Sequence, residues 1–228
     1  ALTRPETRFL VFSSCKGSTG AAPLLAKQRP HSPSIAWQGR TQLERLGVTA
    51  ASHLCHGIPP VFLGARGGVQ HFALLVDHGE EDLVKACEAP PGRTLFVADG
   101  MFKLLFIGCD QGDFAILGQA FAKITWHKRT QFDGASGAAM EPIECGLKRR
   151  CPSSRGRAYP RTDPVAIALV RDKPDKACLL VSVKEIPGMW TCPSGFVEAG
   201  EQAEEAMRRE VLEETRVEVD LEKGVDWL

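Results

Sequence analysis

Residues Gly195 to Val217 read GFVEAGEQAEEAMRREVLEETRV. From Gln202 to Thr215 this stretch holds good helix formers and neither Gly nor Pro, so it predicts a helix. Glu210, Glu213 and Glu214 stand at i, i+3 and i+4 and share one helix face. Ala203, Ala206 and Met207 fall on roughly the same face one to two turns earlier, so the core-facing stripe runs into three carboxylates. Carboxylates on a half-buried face need a compensating cation. They also lie toward the helix C-terminus, where the dipole disfavours each by about 0.3–1 kcal/mol. Hard oxygen ligands suit Mg²⁺ or Mn²⁺, which also bind phosphate oxygens. The loop from Gly195 to Gly200 lets backbone approach a ligand. A solvated helix laced by the i, i+4 pairs Glu204–Arg208 and Glu205–Arg209 is the competing reading, and spacing alone does not separate the two.

The whole string separates them. Gly195, Glu201, Arg209, Glu210, Val211, Glu213, Glu214 and Val217 match G-x5-E-x7-R-E-U-x-E-E-x-G-U, with Arg216 in place of the last glycine. The chain thereby resembles the Nudix hydrolases, in which this box is a loop–helix–loop that binds Mg²⁺ or Mn²⁺ and cleaves nucleoside diphosphates linked to another group. The resemblance implies that Glu210, Glu213 and Glu214 are metal ligands, one of them also a candidate to deprotonate the attacking water. It implies that Arg209 and Glu201 orient the loop. Arg216 predicts a helix exit that turns left-handed at a cost of about 1 kcal/mol where glycine would turn freely.

Flanking residues are similar to the NADH pyrophosphatase branch of that family. They are Trp126-His127, Phe132, Lys148-Arg149-Arg150-Cys151, Tyr159-Pro160-Arg161-Thr162-Asp163-Pro164-Val165 and Pro187-Gly188-Met189-Trp190. The segment CPSSRGRAYPRTDPVAIALV is most similar to the mitochondrial type. The resemblance covers Trp126 to Val219 and extends to Pro60-Val61-Phe62-Leu63-Gly64 and His71-Phe72-Ala73-Leu74. It implies an NAD(P)H diphosphatase that splits NADH or NADPH into NMNH and AMP or 2′-phospho-AMP. It implies that Tyr159, Ser194, Gly195 and Phe196 bind the dinucleotide, with the Phe196 ring stacking on nicotinamide or another base; packing roles for Tyr159 and Phe196 are the alternative. Ser182 stands near where the branch often has a cation. ADP-ribose and NAD-capped RNA are alternative substrates, and a non-catalytic binding protein is the alternative from another class.

Two departures stand out. The branch carries a four-cysteine zinc ribbon, but here Asp133 and Ser136 occupy the first pair's place and only Cys151 survives of the second. Cys145 and Cys151 are six apart, unlike paired C-x2-C knuckles, and an odd site with His127 is the remaining option. The expectation is a chain without stoichiometric zinc. Second, the sequence given ends at Leu228, before the SQPWPFP segment that contributes to dinucleotide selectivity in the branch. The expectation is a domain with too few strands to bury Ala203, Ala206, Met207 and Leu212, hence a loose box helix and little activity, unless a homodimer completes the site.

Composition sets the remaining bounds. Lys+Arg 28 balance Asp+Glu 28, so no global field draws the chain to nucleic acid or a membrane, and no apolar run reaches spanning length. The cysteines at 15, 55, 87, 109, 145, 151, 178 and 192 are scattered without a disulfide framework, and Cys87, Cys178 and Cys192 read as buried thiols. The stretch 1–31 is rich in Ser, Ala, Arg and Lys with Glu6 its one acid, which resembles a mitochondrial presequence; a cytoplasmic location is the alternative.

The fold class expected is α+β, a Nudix α/β/α sandwich incomplete at its C-terminus behind a smaller α+β domain. The divisions are an N-terminal domain over 1–125, a degenerate zinc-ribbon-like connector over 126–158 and the Nudix domain over 159–228. Strands are expected at Phe9–Phe12, Pro60–Gly64, Val69–Asp77, Thr94–Ala98, Val165–Val170 and Ala177–Val183, with a turn at Asp172–Asp175. Helices are expected at Asp82–Cys87 and from a cap at Asp113 to His127, and loop from Lys128 to Arg157.

Overall fold

The computed structural model describes residues 4–14, 21–28, 31–49, 54–98, 108–172, 176–184 and 186–221. The chain divides into two compact units, Ala1–Pro160 and Arg161–Leu228. Both mix strands and helices, as the α+β class requires.

The first unit is built on a sheet in the order β3 (His31–Ile35), β2 (Ala22–Gln28), β1 (Arg8–Ser13), β5 (Val69–Val76), β4 (Val61–Arg66), with β6 (Thr94–Val97) also paired to β2. β1 and β5 run parallel, from Arg8 opposite His71 to Ser13 opposite Val76, and the other pairs are antiparallel. The centre of this sheet is covered on both faces, which is why its strands read as unbroken apolar runs rather than alternations. On one face Leu10, Phe12, Ala73 and Leu75 pack with Leu117, Ala120, Phe121 and Ile124. Those four belong to the helix Gln111–Arg129, here α3. On the other face Phe9, Val11, Phe72, Leu74 and Val76 pack with Leu43 and Leu83, from α1 (Arg40–Arg45) and α2 (Glu80–Ala86).

Several expectations change here. Ala22–Gln28, within the stretch expected as leader-like, and His31–Ile35, where no element was expected, are strands, and Leu24, Leu25 and Ala26 are fully buried. α3 is capped by Asp110, whose Oδ1 accepts from the Asp113 amide at 3.0 Å, not by Asp113. Asp113 sits in the first turn and its Oδ2 accepts from the Ile35 amide at 2.7 Å, tying the helix to β3. The expected loop from Lys128 to Arg157 instead folds as a three-stranded antiparallel sheet of β7 (Glu141–Ile143), β8 (Lys148–Arg150) and β9 (Arg157–Ala158). Of the three thiols expected to be buried, Cys87 is, Cys192 is half-buried and Cys178 is exposed. Cys15 and Lys173 to Asp175 lie outside the described residues.

The end of α3 is joined to this small sheet by a buried polar pair. His127 and Arg149 are 0% and 3% exposed. His127 Nε2 lies 2.8 Å from the Gly146 carbonyl and its Nδ1 lies 3.0 Å from Arg149 Nη1, so the neutral ring donates from Nε2 and accepts at Nδ1. Arg149 Nη2 donates to the Met140 carbonyl at 2.7 Å. Both ring nitrogens of His127 are thus engaged, and Cys145 stands exposed while Cys151 is buried.

Burial, aided by the Arg149 charge, lowers the His127 pKa from 6.5 to about 4. The folded state then binds fewer protons than the unfolded chain between these values. Stability from this group is complete above pH 6.5, shrinks as pH falls and is gone below about pH 4. One such shift amounts to about 3 kcal/mol. Urea midpoints from pH 7 to 4 for the parent and for His127→Gln should converge as pH falls; parallel curves would refute the coupling.

The second unit pairs β10 (Val165–Ile167) with β13 (Ser194–Phe196) and β11 (Val181–Ser182) with β12 (Trp190–Thr191), all antiparallel. β10 and β11 are thus shorter than the expected Val165–Val170 and Ala177–Val183; between them the chain forms a looser hairpin through the Arg171–Cys178 bridge and the Leu179 amide to Val170 carbonyl bond. The last helix, α4 (Ala203–Thr215), packs on β10 and β13. Among the described residues no helix is long and apolar enough to cross a membrane.

Candidate active site

The stretch quoted first forms the strand–loop–helix that α4 completes. Gln202 is the N-cap, and its amide donates to Glu205 Oε2 at 2.8 Å, half of a capping box. The helix buries Ala206, Met207 and Val211, while Leu212 stays 40% exposed. Ala206 and Met207 are thus covered, contrary to the expectation of too few strands, and the inward stripe follows the Met207–Val211 i, i+4 pair, with Val211 rather than Leu212 facing the sheet, about 100° around the helix. The helix ends at Arg216 with φ 63° and ψ 18°, the left-handed exit expected of a residue standing where glycine would turn freely. Its amide still donates to the Leu212 carbonyl at 2.9 Å, and Thr215 Oγ1 to the Val211 carbonyl at 2.7 Å.

Arg209 is the hub. Its Nε and Nη2 donate to the two carboxylate oxygens of Glu201 at 2.8 and 3.0 Å, a bidentate pair. Its Nη1 donates to Glu210 Oε1 at 2.8 Å and its Nη2 to the Phe196 carbonyl at 3.0 Å. Glu213 Oε2 lies 3.6 Å from the same guanidinium. Glu201 in turn accepts from the Glu198 amide at 3.0 Å. One side chain thus ties β13, the Glu198–Glu201 turn and the helix together. Hydrogen bonds from Arg209, then from the Glu198 amide, lower the Glu201 carboxyl to about 2, and the two glutamates hold the Arg209 guanidinium above its ordinary value.

Gly195 lies opposite Ala166 across the β10–β13 pair and faces the helix. A Cβ there would stand 1.9 Å from Glu210 Cδ. The absence of a side chain, not a left-handed backbone, is what this position requires. Phe196 and Val165, directly paired, point to the other face, 62% and 56% exposed. Ser194 pairs with Ile167 and is half-buried. Tyr159 belongs to the first unit, 59% exposed, with Lys148 Nζ 5.8 Å from its ring centre.

The structure thus brings Glu201, Arg209, Glu210 and Glu213 together on Gly195 and Phe196. Glu214 is exposed one turn beyond Glu210 on the helix. The Phe196 carbonyl and the Glu198 amide were not expected as parts of the site. Backbone groups carry no residue signature, and the glycine-flanked loop was their one trace in the sequence.

Glu210, Glu213 and Glu214 fit Mg²⁺ or Mn²⁺ in kind, being hard oxygen donors on one helical surface. Among the described residues no three His, Cys, Asp or Glu side chains converge closely enough to grip an ion. Glu210 Oε1 is turned to Arg209, so gripping one would take a rotation of the glutamate side chains, two of which are exposed.

Known proteins bear directly on this geometry. The NUDIX domain family matches residues 161–227. Nudix hydrolase 19, chloroplastic, of Arabidopsis thaliana is 46% identical over 168 residues, 70% of this chain and 37% of that protein. The NAD-capped RNA hydrolase NudC of Deinococcus radiodurans is 34% identical over 188 residues, 81% of this chain and 62% of that protein. The human NAD(P)H pyrophosphatase NUDT13, mitochondrial, is 41% identical over 109 residues, 47% of this chain and 30% of that protein. The chain therefore spans less than two-thirds of the length of these relatives. With the box held by Arg209 and the matches running through it, residues 161–227 are a NUDIX domain, and the chain is similar to proteins of the NADH pyrophosphatase branch of the Nudix hydrolases.

Proposed function

We propose that this chain carries the diphosphate-cleaving site of an NAD(P)H diphosphatase, releasing NMNH and AMP from NADH, or 2′-phospho-AMP from NADPH. The observation that carries the reading is the Arg209 clamp, which fixes Glu201, Glu210 and the Phe196 backbone in one frame. Glu210, Glu213 and Glu214 would hold Mg²⁺ or Mn²⁺, which when bound supplies charge neutralisation of the diphosphate and a more acidic water. Arg209 and Glu201 position the loop and do not meet the substrate. The exposed Phe196 ring offers a flat apolar face for a base, a contact worth about 1–3 kcal/mol. Ser194 and Gly195 of the second unit, and Tyr159 of the first, would each contribute to dinucleotide binding, as the resemblance implies.

The names of two relatives, NAD-capped RNA hydrolases of human and Deinococcus radiodurans, favour the NAD cap of RNA as a second substrate. The chain's balanced charge gives no general attraction to RNA, so free dinucleotide is the first choice. Relatives named chloroplastic and mitochondrial support an organellar location, with the mitochondrion proposed. A panel of NADH, NADPH, ADP-ribose and NAD-capped RNA, each with Mg²⁺ and Mn²⁺, tests the assignment on this chain and on one lengthened to match its relatives. NADH or NADPH should be cleaved fastest. Preference for ADP-ribose, or no cleavage by the longer chain, would refute it.

A further inference from the structure

The small sheet of the first unit ends in two tight turns of the same build. One runs Asp133-Gly134-Ala135-Ser136-Gly137, the other Cys151-Pro152-Ser153-Ser154-Arg155. In each, two polar side chains are separated by two residues and followed by a left-handed residue, Gly137 at φ 70° and Arg155 at φ 59°. Each turn is closed by backbone bonds, the Gly137 amide to the Asp133 carbonyl and the Cys151 amide to the Gly156 carbonyl, both 2.8 Å. Spacing of x2 in two facing turns is the frame of a four-ligand zinc site. The ligand set does not fit one: a single thiol, one carboxylate and two neutral hydroxyls replace four thiolates.

Those four side chains nevertheless meet. Ser136 Oγ donates to Asp133 Oδ2 at 2.6 Å, and Ser154 Oγ donates to the same oxygen from the other turn at 3.2 Å. Cys151 Sγ, fully buried, lies 3.9 Å from Ser136 Oγ and 3.2 Å from Ser153 Oγ. Four sulfurs around a zinc at about 2.3 Å would stand about 3.8 Å apart. The 3.9 Å from Ser136 to Cys151 keeps that spacing, whereas the 2.6 and 3.2 Å contacts are shorter and close over the centre.

We propose that hydrogen bonds among Asp133, Ser136, Cys151 and Ser154 replace the metal in this ribbon, so that the two turns are cross-linked without zinc on a backbone that still has the zinc-binding form. The Asp133 carboxylate is the centre: one of its oxygens accepts a hydroxyl hydrogen bond from each turn. Two consequences follow. The link should survive chelators, and restoring three thiols should restore a zinc site.

The test uses the whole chain. Purified parent protein should hold no stoichiometric zinc, and its thermal midpoint should be unmoved by a strong zinc chelator or by one equivalent of zinc. Asp133→Ala should lower the midpoint by about 2–6 °C, and Asp133→Asn, which keeps an acceptor, by less. The triple variant Asp133→Cys, Ser136→Cys, Ser154→Cys should bind one zinc per chain and melt higher with zinc than without. About one zinc in the parent, lost with Cys151→Ser, would overturn the proposal. So would an unchanged midpoint in Asp133→Ala, or a folded triple variant that takes up no zinc. If the triple variant fails to fold, parent zinc content and the two Asp133 variants decide.

Discussion

Gly195→Ala is expected to lower metal-dependent NADH cleavage about 100-fold or more while costing the fold about 1–3 kcal/mol. The new Cβ would fall 1.9 Å from Glu210 Cδ and 2.2 Å from its Cγ, against about 3.5–4.0 Å for carbons in contact. Glu210 cannot yield without consequence, because its Oε1 is held by Arg209, which also grips Glu201 and the Phe196 carbonyl. The easiest relief is for the Glu210 side chain to swing away, which spares most of the packing and removes a proposed ligand from its place. Activity should therefore fall before stability does. The cycle with Glu210→Ala checks the cause: in that background Gly195→Ala should cost little stability, because nothing is left to strike. Parent-level turnover in Gly195→Ala, or an equal stability cost in both backgrounds, would refute the contact.

Glu214→Gln is expected to have the opposite balance, loss of turnover with no loss of stability. Glu214 is exposed, so exchanging its charge for an amide should alter stability by less than about 0.5 kcal/mol, as surface changes do. It lies in the last turn of α4, where a negative charge opposes the helix dipole, so the change should be neutral or slightly stabilising. A neutral amide is a poor ligand for a hard dication. Disturbing groups that merely support a ligand already costs about 10–100-fold, so losing a ligand should exceed that range. Measured in a chain shown to cleave NADH, the parent rate in Glu214→Gln would remove Glu214 from the ligand set. A large drop in thermal midpoint would instead make it a structural residue.

The second unit was the more legible part because its information is periodic and local. The helix boundaries follow from one uninterrupted stretch, while the Arg216 exit and the joint roles of Glu201 and Arg209 were implied by the resemblance which that stretch carries. The error there, Leu212 for Val211, is one position of helical phase, which only the surface beneath the helix sets. In the first unit the losses have different causes. Ala22–Gln28 is an apolar strand, but its neighbourhood has the cationic, Ser-rich composition of a leader, and composition outweighed the run. β7 to β9 are two or three residues each, too short for a period, and β8 is Lys148-Arg149-Arg150, in which the middle cation is the buried one. Nothing in a run of three cations says that Arg149 points inward to His127. Asp110 and Asp113 are both credible caps by residue type, and the choice is made by the Ile35 amide, 78 positions from Asp113.

The parallel pairing of β1 with β5 also has a consequence in time. Arg8 must wait for His71, and ribosomes add about 5–20 residues per second, so β1 leaves the tunnel about 3–13 s before its central partner does. During that interval Phe9-Leu10-Val11-Phe12, uncharged and strand-forming, has an unsatisfied edge and two faces that end fully buried. Nascent chains halted before His71 should therefore be held by chaperones or aggregate, and the pace of elongation from Arg8 to His71 becomes a determinant of yield that the finished fold does not reveal.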